Sequence, residues 1–154
     1  MISQRSDMLL AMPADRPFRF QTRIRFIDTD VSGRIHYTAM FRYFESAEIE
    51  FMRSLGITYG GREVDFPRVH VECDFQLPLV HDDVIDIEVC LTKLGRSSGR
   101  LEFRTLRKGE QAANGVVVIV CVDKQTQRPI PIPAEIRARL EPELRVERTA
   151  DKNR

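Results

Sequence analysis

The chain has 154 residues, the length of one ordinary domain, with 42% hydrophobic and 31% charged residues as in globular proteins. Its 24 basic and 23 acidic residues leave a formal net charge of +1, which argues against a nucleic-acid binder that works through bulk charge. The longest apolar run, Val116–Val122, is far shorter than the about 20 residues of a membrane span. The apolar patch at residues 8–10 is too short for a secretory signal. We therefore expect a cytoplasmic protein with no membrane span.

The first 26 residues divide into an arm and a strand. Residues 1–16 have no periodicity and are predicted to form a flexible N-terminal arm. Apolar and polar residues then alternate from Phe18 to Phe26, which predicts a strand with one buried face. A single domain is predicted over residues 17–142.

One long helix follows a polar stretch. Apolar residues recur at helical spacing from Met40 to Leu55, and Gly56 is a typical helix stop. The apolar stripe is broad and aromatic, which favours a helix embraced by a sheet. Glu48 lies inside this stripe, where it is either buried at an interface or pocket or reaches out to solvent.

The rest of the chain is predicted to be mostly strand, at residues 69–75, 85–91, 101–105 and 116–122. Gly109 and residues 112–115 are predicted to form the turn before the last of these strands. Pro133 precedes a short predicted helix over residues 134–140, and residues 143–154 are predicted to be a charged tail.

This order of elements indicates an α+β fold in which an antiparallel sheet of about five strands packs against one helix. One helix covers only one face of such a sheet. The run Val116–Val122 is apolar at every position, so we expect both faces of this strand to be buried, including the face that the helix does not cover. We therefore expect a homo-oligomer.

Three cysteines, Cys73, Cys90 and Cys121, are widely spaced. An odd number makes a poor disulfide framework, and no pair has the spacing of metal ligands. Each lies in an apolar run, so we expect buried thiols. The aspartates near His36 form an incomplete ligand set, and no metal site is predicted.

The segment between the first strand and the helix carries the candidate chemistry. Asp28, Asp30 and Ser32 precede the helix, where such residues commonly cap helices or form turns. The same placement also suits acyl-transfer chemistry, because a helix N-terminus can stabilise an oxyanion while a nearby carboxylate attacks or activates water. The residues alone leave both interpretations open.

Residues 28–37 read Asp-Thr-Asp-Val-Ser-Gly-Arg-Ile-His-Tyr, and residues 41–47 read Phe-Arg-Tyr-Phe-Glu-Ser-Ala. This pattern resembles the signature of hotdog-fold acyl-CoA thioesterases, and the most similar type is the 4-hydroxybenzoyl-CoA thioesterase group. The resemblance covers roughly residues 18–140. It implies a hotdog fold, in which a sheet of about five antiparallel strands wraps around one long central helix.

The resemblance also implies roles for residues in this loop. Asp30 matches the catalytic carboxylate, which attacks the thioester or activates water. The backbone N–H of Tyr37, expected in the first helical turn, matches the oxyanion donor, and His36 is a further catalytic candidate. Gly33 would let the loop approach the thioester closely. Glu45 either contacts substrate or orients the loop, or is a solvated helix residue.

Further along the chain, Arg96, Ser97 and Ser98 match the turn that binds coenzyme A, and Arg96 would pair with a phosphate. The resemblance implies no cofactor, because coenzyme A is part of the substrate. It also implies a homodimer with the active site between two subunits, and a homotetramer built as a dimer of dimers.

The chain departs from the family pattern at three places. It has His36-Tyr37 where many members have Tyr-His, Ala39-Met40 where many have Asn-Tyr, and Glu48 where many have Arg. If a His side chain assists catalysis in those relatives, Tyr37 fills its position here.

Three functions are therefore compared. A thioesterase is the leading hypothesis, and the predicted order of elements, with one long helix before four consecutive strands, excludes an α/β-hydrolase thioesterase. A dehydratase or hydratase on the same fold would need His36 paired with Asp30 or Glu45 as acid and base. A domain that binds acyl-CoA or an acyl carrier protein without turnover is the third.

Overall fold

A five-stranded antiparallel sheet forms the scaffold of the computed structural model, which describes residues 16–145. The strand order is β1–β4–β5–β6–β3. The strands are β1 (Phe18–Arg23), β3 (Arg68–Phe75), β4 (Val84–Leu94), β5 (Ser98–Arg107) and β6 (Glu110–Val120). Two short strands, β2 (Val64–Asp65) and β7 (Val122–Asp123), pair separately. The predicted antiparallel sheet of about five strands is confirmed.

The long helix α1 spans Ala39–Ser54 and packs on one face of the sheet. Phe44 in α1 stacks on Phe103 of β5, with ring centroids 4.7 Å apart. A Cβ at Gly115 of β6 would overlap the Phe44 ring, so this glycine lets the helix approach the sheet closely. Gly56 follows the helix with φ +71°, as predicted for its stop.

The structure differs in two ways from the predicted single long central helix. The 16 residues of α1 span about 24 Å, whereas the eleven residues of β4 span about 33 Å, so α1 does not cover the whole sheet. A second helix, α2, spans Ala134–Leu140 as predicted, with Pro133 at its N-cap. Neither helix is long and apolar enough to cross a membrane.

The predicted turn before the last strand is partly wrong. Residues 112–115 lie inside β6, and the β5–β6 turn consists of Lys108 and Gly109, both with positive φ. The small residues that suggested a turn are required by packing, because Ala112 and Ala113 are fully buried and Gly115 lies under α1. Alternation is hidden in β6 because side chains on both of its faces are buried.

Strand β3 is at the edge of the sheet and lies more open than predicted. Its apolar residues Val69, Val71 and Phe75 are 61%, 47% and 46% exposed. The predicted buried face is absent in the single chain because β3 is the last strand of the sheet and α1 contacts it only in part. An open apolar edge strand is typical of a surface that pairs with another chain.

The ends of the domain are fixed by β4. Leu144 pairs with Leu91, and the Arg145 N–H donates to the Leu91 carbonyl at 2.8 Å. The first residues of the predicted tail, 143–145, therefore pack on the domain, while the remaining tail and arm residues 1–15 lie outside the described residues.

The three cysteines are free and at least partly buried, and burial raises the pKa of each thiol.

Candidate active site

The segment from Asp28 to His36 folds as a small hairpin. The His36 N–H donates to the Asp28 carbonyl at 2.8 Å, and the Asp30 N–H donates to the Arg34 carbonyl at 2.8 Å. At the tip, the Gly33 N–H donates to the Asp30 carbonyl at 3.0 Å, and Gly33 has φ +82°. A Cβ at Gly33 would meet no atom within 4 Å, so the backbone conformation rather than crowding requires glycine in the single chain. We call residues 28–36 the catalytic hairpin, after the role that the resemblance implies for Asp30.

The catalytic hairpin is attached to the segment just before β4. The Ile35 N–H donates to the Leu79 carbonyl at 2.8 Å, and Arg34 forms an isolated bridge with Val80. Ile35 is buried in the core. The hairpin therefore lies at the end of the sheet where β4 begins.

Asp30 is exposed at the tip of the hairpin. Its Oδ1 accepts the Ser32 N–H at 2.8 Å and the Ser32 hydroxyl at 2.5 Å, and its Oδ2 accepts no hydrogen bond from residues 16–145. These bonds from Ser32, with smaller contributions from His36 and Arg34, lower the pKa of Asp30. Asp30 is therefore a carboxylate at neutral pH, with one oxygen free to react.

The helix-cap interpretation of the acidic segment is wrong. The N-cap of α1 is Thr38, which makes no side-chain capping bond. Asp30 and Ser32 instead stabilise the hairpin tip, eight and six residues before the cap. Residues 28–36 cannot reach the helix N-terminus because their backbone groups pair with each other in the hairpin, which lies between the strand and α1.

Tyr37 lies just before the N-cap rather than in the first helical turn, which corrects its predicted location. Within residues 16–145 its N–H donates no hydrogen bond, so it is available to an oxyanion. Its ring is 69% exposed and stacks on His36 with centroids 4.7 Å apart. His36 Nδ1 lies 2.7 Å from the Thr38 hydroxyl, and His36 makes no hydrogen bond to Asp30 or Glu45 in the described chain. The acid–base pair that a dehydratase needs is not formed.

Asp28, to which the sequence analysis assigned no separate role, is a buried carboxylate at the base of the hairpin. It is 1% exposed, and its carboxylate accepts the Tyr43 hydroxyl at 2.6 Å, the Arg25 Nε–H at 3.0 Å and an Arg42 N–H. Burial raises the pKa of Asp28, but the hydrogen bonds from Tyr43, Arg42 and Arg25 outweigh it and lower the pKa to about 2. The Tyr43 oxygen in turn accepts the Arg25 backbone N–H at 3.0 Å.

A second buried carboxylate, Glu48, lies farther along α1. Glu48 is 1% exposed and accepts the Tyr59 hydroxyl at 2.6 Å and an Arg68 N–H at 3.2 Å. Burial, followed by the nearby Glu48 charge, raises the pKa of Tyr59. Arg68 also lies 3.5 Å from the carboxylate of Glu45, which is half exposed. The departure at Glu48 is thus compensated within this chain by an arginine from β3.

Two depressions adjoin these residues. A cavity of about 320 Å³ is lined by Tyr37 and Arg34 of the loop and by Phe75 and Leu77 at the end of β3. A groove of about 220 Å³ runs between α1 and β3, with Phe41 on one wall and Glu45, Glu48 and Arg68 at its polar end. The larger cavity has the size of a small-molecule site. Met40, Phe44 and Met52 are core residues, whereas Phe41 reaches the groove.

The predicted coenzyme A turn lies at the far end of β4. The Gly95 N–H donates to the Ser98 carbonyl at 2.8 Å, and the Arg96 carbonyl accepts the Ile132 N–H at 2.9 Å and an Arg137 N–H at 3.1 Å. The Arg96 side chain is exposed and makes no ion pair within residues 16–145. The turn backbone is therefore held by hydrogen bonds, while the Arg96 guanidinium has no partner among the described residues. Within one chain, about 33 Å of β4 separates it from the catalytic hairpin.

The profile of the Thioesterase-like superfamily matches residues 24–140, which includes the catalytic hairpin, α1 and the turn at Arg96. The chain belongs to this superfamily. A 1,4-dihydroxy-2-naphthoyl-CoA hydrolase from Synechococcus elongatus is 30% identical over 124 residues, which are 77% of this chain and 91% of that protein. A protein from Aquifex aeolicus whose name places it among the esterases is 38% identical over 85 residues, which are 52% of this chain and 65% of that protein.

Solved structures agree with this membership. A gentisyl-coenzyme A thioesterase is 26% identical and superposes with a TM-score of 0.73, over 79% of this chain and 98% of that one. The predictions of a hotdog-type sheet and helix and of a thioesterase are confirmed at this level. The 4-hydroxybenzoyl-CoA type, the site residues and the cytoplasmic location stay predictions. Within residues 16–145, no three His, Cys, Asp or Glu side chains are grouped to hold a metal ion.

Proposed function

We propose that this protein hydrolyses the thioester of an acyl- or aroyl-CoA to the free acid and coenzyme A, without a further cofactor. One observation carries the proposal. The catalytic hairpin and the residue after it present a free carboxylate oxygen, Asp30 Oδ2, together with a free backbone donor, the Tyr37 N–H. A nucleophile or base and an oxyanion donor are the two groups that acyl transfer requires.

The oxyanion donor would act as the thioester carbonyl becomes tetrahedral, because the Tyr37 N–H stabilises the negative charge on oxygen. Two routes use Asp30. In one, Oδ2 attacks the carbonyl carbon, the coenzyme A thiolate leaves, and water hydrolyses the resulting anhydride. In the other, Asp30 takes a proton from water as the water oxygen attacks, and that proton passes to the leaving thiolate. The lowered pKa of Asp30 provides the carboxylate form that both routes need.

The site is proposed to combine two chains. Asp30 and Arg96 of one chain lie at opposite ends of β4, farther apart than the extended pantetheine arm of coenzyme A. A two-fold pairing of the exposed β3 edges reverses the second sheet end to end, so Arg96 of the second chain approaches the first chain's hairpin. The exposure of Val69, Val71 and Phe75 supports such a homodimer. A dimer of dimers remains our expectation for the full assembly.

The roles at the substrate follow from this arrangement. Arg96, with Ser97 and Ser98, would bind phosphate or pantetheine oxygens. The acyl group would occupy the cavity of about 320 Å³ beside Tyr37, whose lining includes Phe75. Aroyl groups are favoured because the relatives named above act on a naphthoyl-CoA and a gentisyl-CoA.

A panel of acyl-CoAs tests the proposal. Short, medium, long and aryl thioesters are followed by loss of thioester absorbance, with an enoyl-CoA included to detect hydration. Turnover of one class that is lost in Asp30→Asn and kept in Asp86→Asn supports the proposal. Asp86 is the matched control because it lies on β4 and bonds only to Gln21 among the described side chains. Tight binding without turnover, or hydration of the enoyl-CoA, contradicts it.

A further inference from the structure

We infer that Asp28 is a positioning residue that holds Asp30 and the Tyr37 N–H in fixed relation to each other. The inference rests on the proposed function, because it concerns the same hairpin. Asp28 itself is buried and contacts neither the hairpin tip nor the cavity beside Tyr37, so its effect on chemistry is exerted through the backbone.

The backbone of Asp28 forms the base of the catalytic hairpin. Its carbonyl accepts the His36 N–H at 2.8 Å, so Asp28 lies two residues before Asp30 on one strand of the hairpin and opposite His36 on the other. The next N–H after His36 is that of Tyr37, the free donor. A shift at Asp28 therefore displaces both proposed reacting groups.

The side chain of Asp28 fixes this base to the rest of the domain. Arg42 and Tyr43 belong to the first turns of α1, and Arg25 follows β1. Three donors from two parts of the fold thus converge on one carboxylate that is 1% exposed. Removing its charge leaves the buried Tyr43 hydroxyl and the two arginines without a charged acceptor, which loosens the hairpin base.

The alternative is that Asp28 only stabilises the fold. A variant of Glu88, a second buried carboxylate held by arginines, distinguishes this alternative from a positioning role. Glu88 is also buried, and its carboxylate is also held by two arginines, Arg19 at 2.6 Å and Arg104 at 2.6 Å. It lies on the sheet face opposite α1, since the neighbouring residue Val89 packs in the core and side chains alternate along a strand. Glu88→Gln is therefore a matched control for Asp28→Asn.

The test compares both variants by steady-state kinetics on the best thioester and by hydrogen exchange of peptides covering residues 28–37. Asp28→Asn is expected to lower kcat by about 10- to 100-fold with little change in KM, because a misplacement of about 1 Å costs on the order of 10²-fold. It should also speed exchange in the catalytic hairpin. Glu88→Gln is expected to lower the melting temperature while leaving kcat within about twofold and exchange in the hairpin unchanged.

A folded Asp28→Asn variant with wild-type kcat overturns the inference, and so does an equal loss of kcat in Glu88→Gln. If Asp28→Asn does not fold, Tyr43→Phe decides, since it removes one donor to Asp28 and leaves both arginines in place. A lower kcat and faster hairpin exchange in Tyr43→Phe support the inference, and wild-type values for both overturn it. If the wild-type protein hydrolyses no thioester, the proposed function fails, while hydrogen exchange still tests the positioning role.

Discussion

The proposed site that is shared between two chains predicts complementation between two impaired variants. Asp30→Asn removes the proposed reacting carboxylate, and Arg96→Ala removes the proposed phosphate contact at the far end of β4. In a mixed dimer, one site receives Asp30 from one chain and Arg96 from the other, so both groups are intact there. The second site of the same dimer carries both defects.

The activity expected of the mixture follows from the exposure of Arg96 and from the fraction of mixed dimers. Arg96 is exposed, so we expect its loss to weaken coenzyme A binding by about 1.4 kcal/mol, or about tenfold in kcat/KM. Random mixing of equal amounts makes about half of the dimers mixed, and therefore restores about a quarter of all sites. A shared site gives about 28% of wild-type kcat/KM, whereas a site within one chain gives about 5%.

The assay mixes the two variants, exchanges subunits by mild denaturation and refolding, and measures kcat/KM on the best acyl-CoA. Each variant treated alone is the control. A thioester that lacks the nucleotide tests whether Arg96 binds a phosphate of coenzyme A. If it does, Arg96→Ala should leave the hydrolysis of that thioester unchanged. A mixture no more active than the average of the separate variants would refute the shared site.

Three further predictions concern stability and assembly. Arg68→Met leaves Glu48 buried without its cation and should cost about 3 kcal/mol in urea unfolding, and adding Glu48→Gln should restore at least half of that loss; an additive double variant contradicts this. Because the folded-state pKa of Asp28 is depressed to about 2, its stabilisation is present above about pH 4 and is lost as the pH falls towards 2. Asp28→Asn should therefore lose less stability than wild type across that window in acid unfolding curves, and equal losses would count against the buried network. Val69→Asp on the exposed β3 edge should yield monomers by light scattering, and an unchanged dimer would place the interface elsewhere.

Much of the fold could be predicted because its main elements bury one face only. Strand β4 alternates strictly, and Ile85, Ile87, Val89 and Leu91 are all buried as the pattern indicated. The broad stripe of α1 likewise matches its buried residues. Such periodicity records which side of an element meets the core.

Strand β6 shows where that signal fails. Residues 112–115 look like a turn because they are small and end in Asn-Gly, yet their size is set by burial and by the approach of α1 at Gly115. The true turn has positive φ at both Lys108 and Gly109. Only Gly109 indicated a turn at this place in the sequence. Local composition did not distinguish a turn from a strand that lies beneath a helix.

The candidate site was predictable in part. Asp30, Gly33 and Tyr37 were found through the resemblance of the loop; the first two lie in the hairpin, and Tyr37 directly follows it. The role of Asp28 was not predictable, because its partners come from two other elements and have no fixed spacing in the sequence. The same holds for Glu48, whose arginine comes from a strand twenty residues later.

The most direct measurement of the central claim is kcat for Asp30→Asn on the best acyl-CoA, with folding and substrate binding verified. Asparagine preserves the size of the side chain and can accept the Ser32 bonds, but it supplies no carboxylate for attack or for proton transfer. We expect a loss of at least about 10²-fold, with Asp86→Asn close to wild type. A kcat within about threefold of wild type in Asp30→Asn would show that this carboxylate does not carry the reaction.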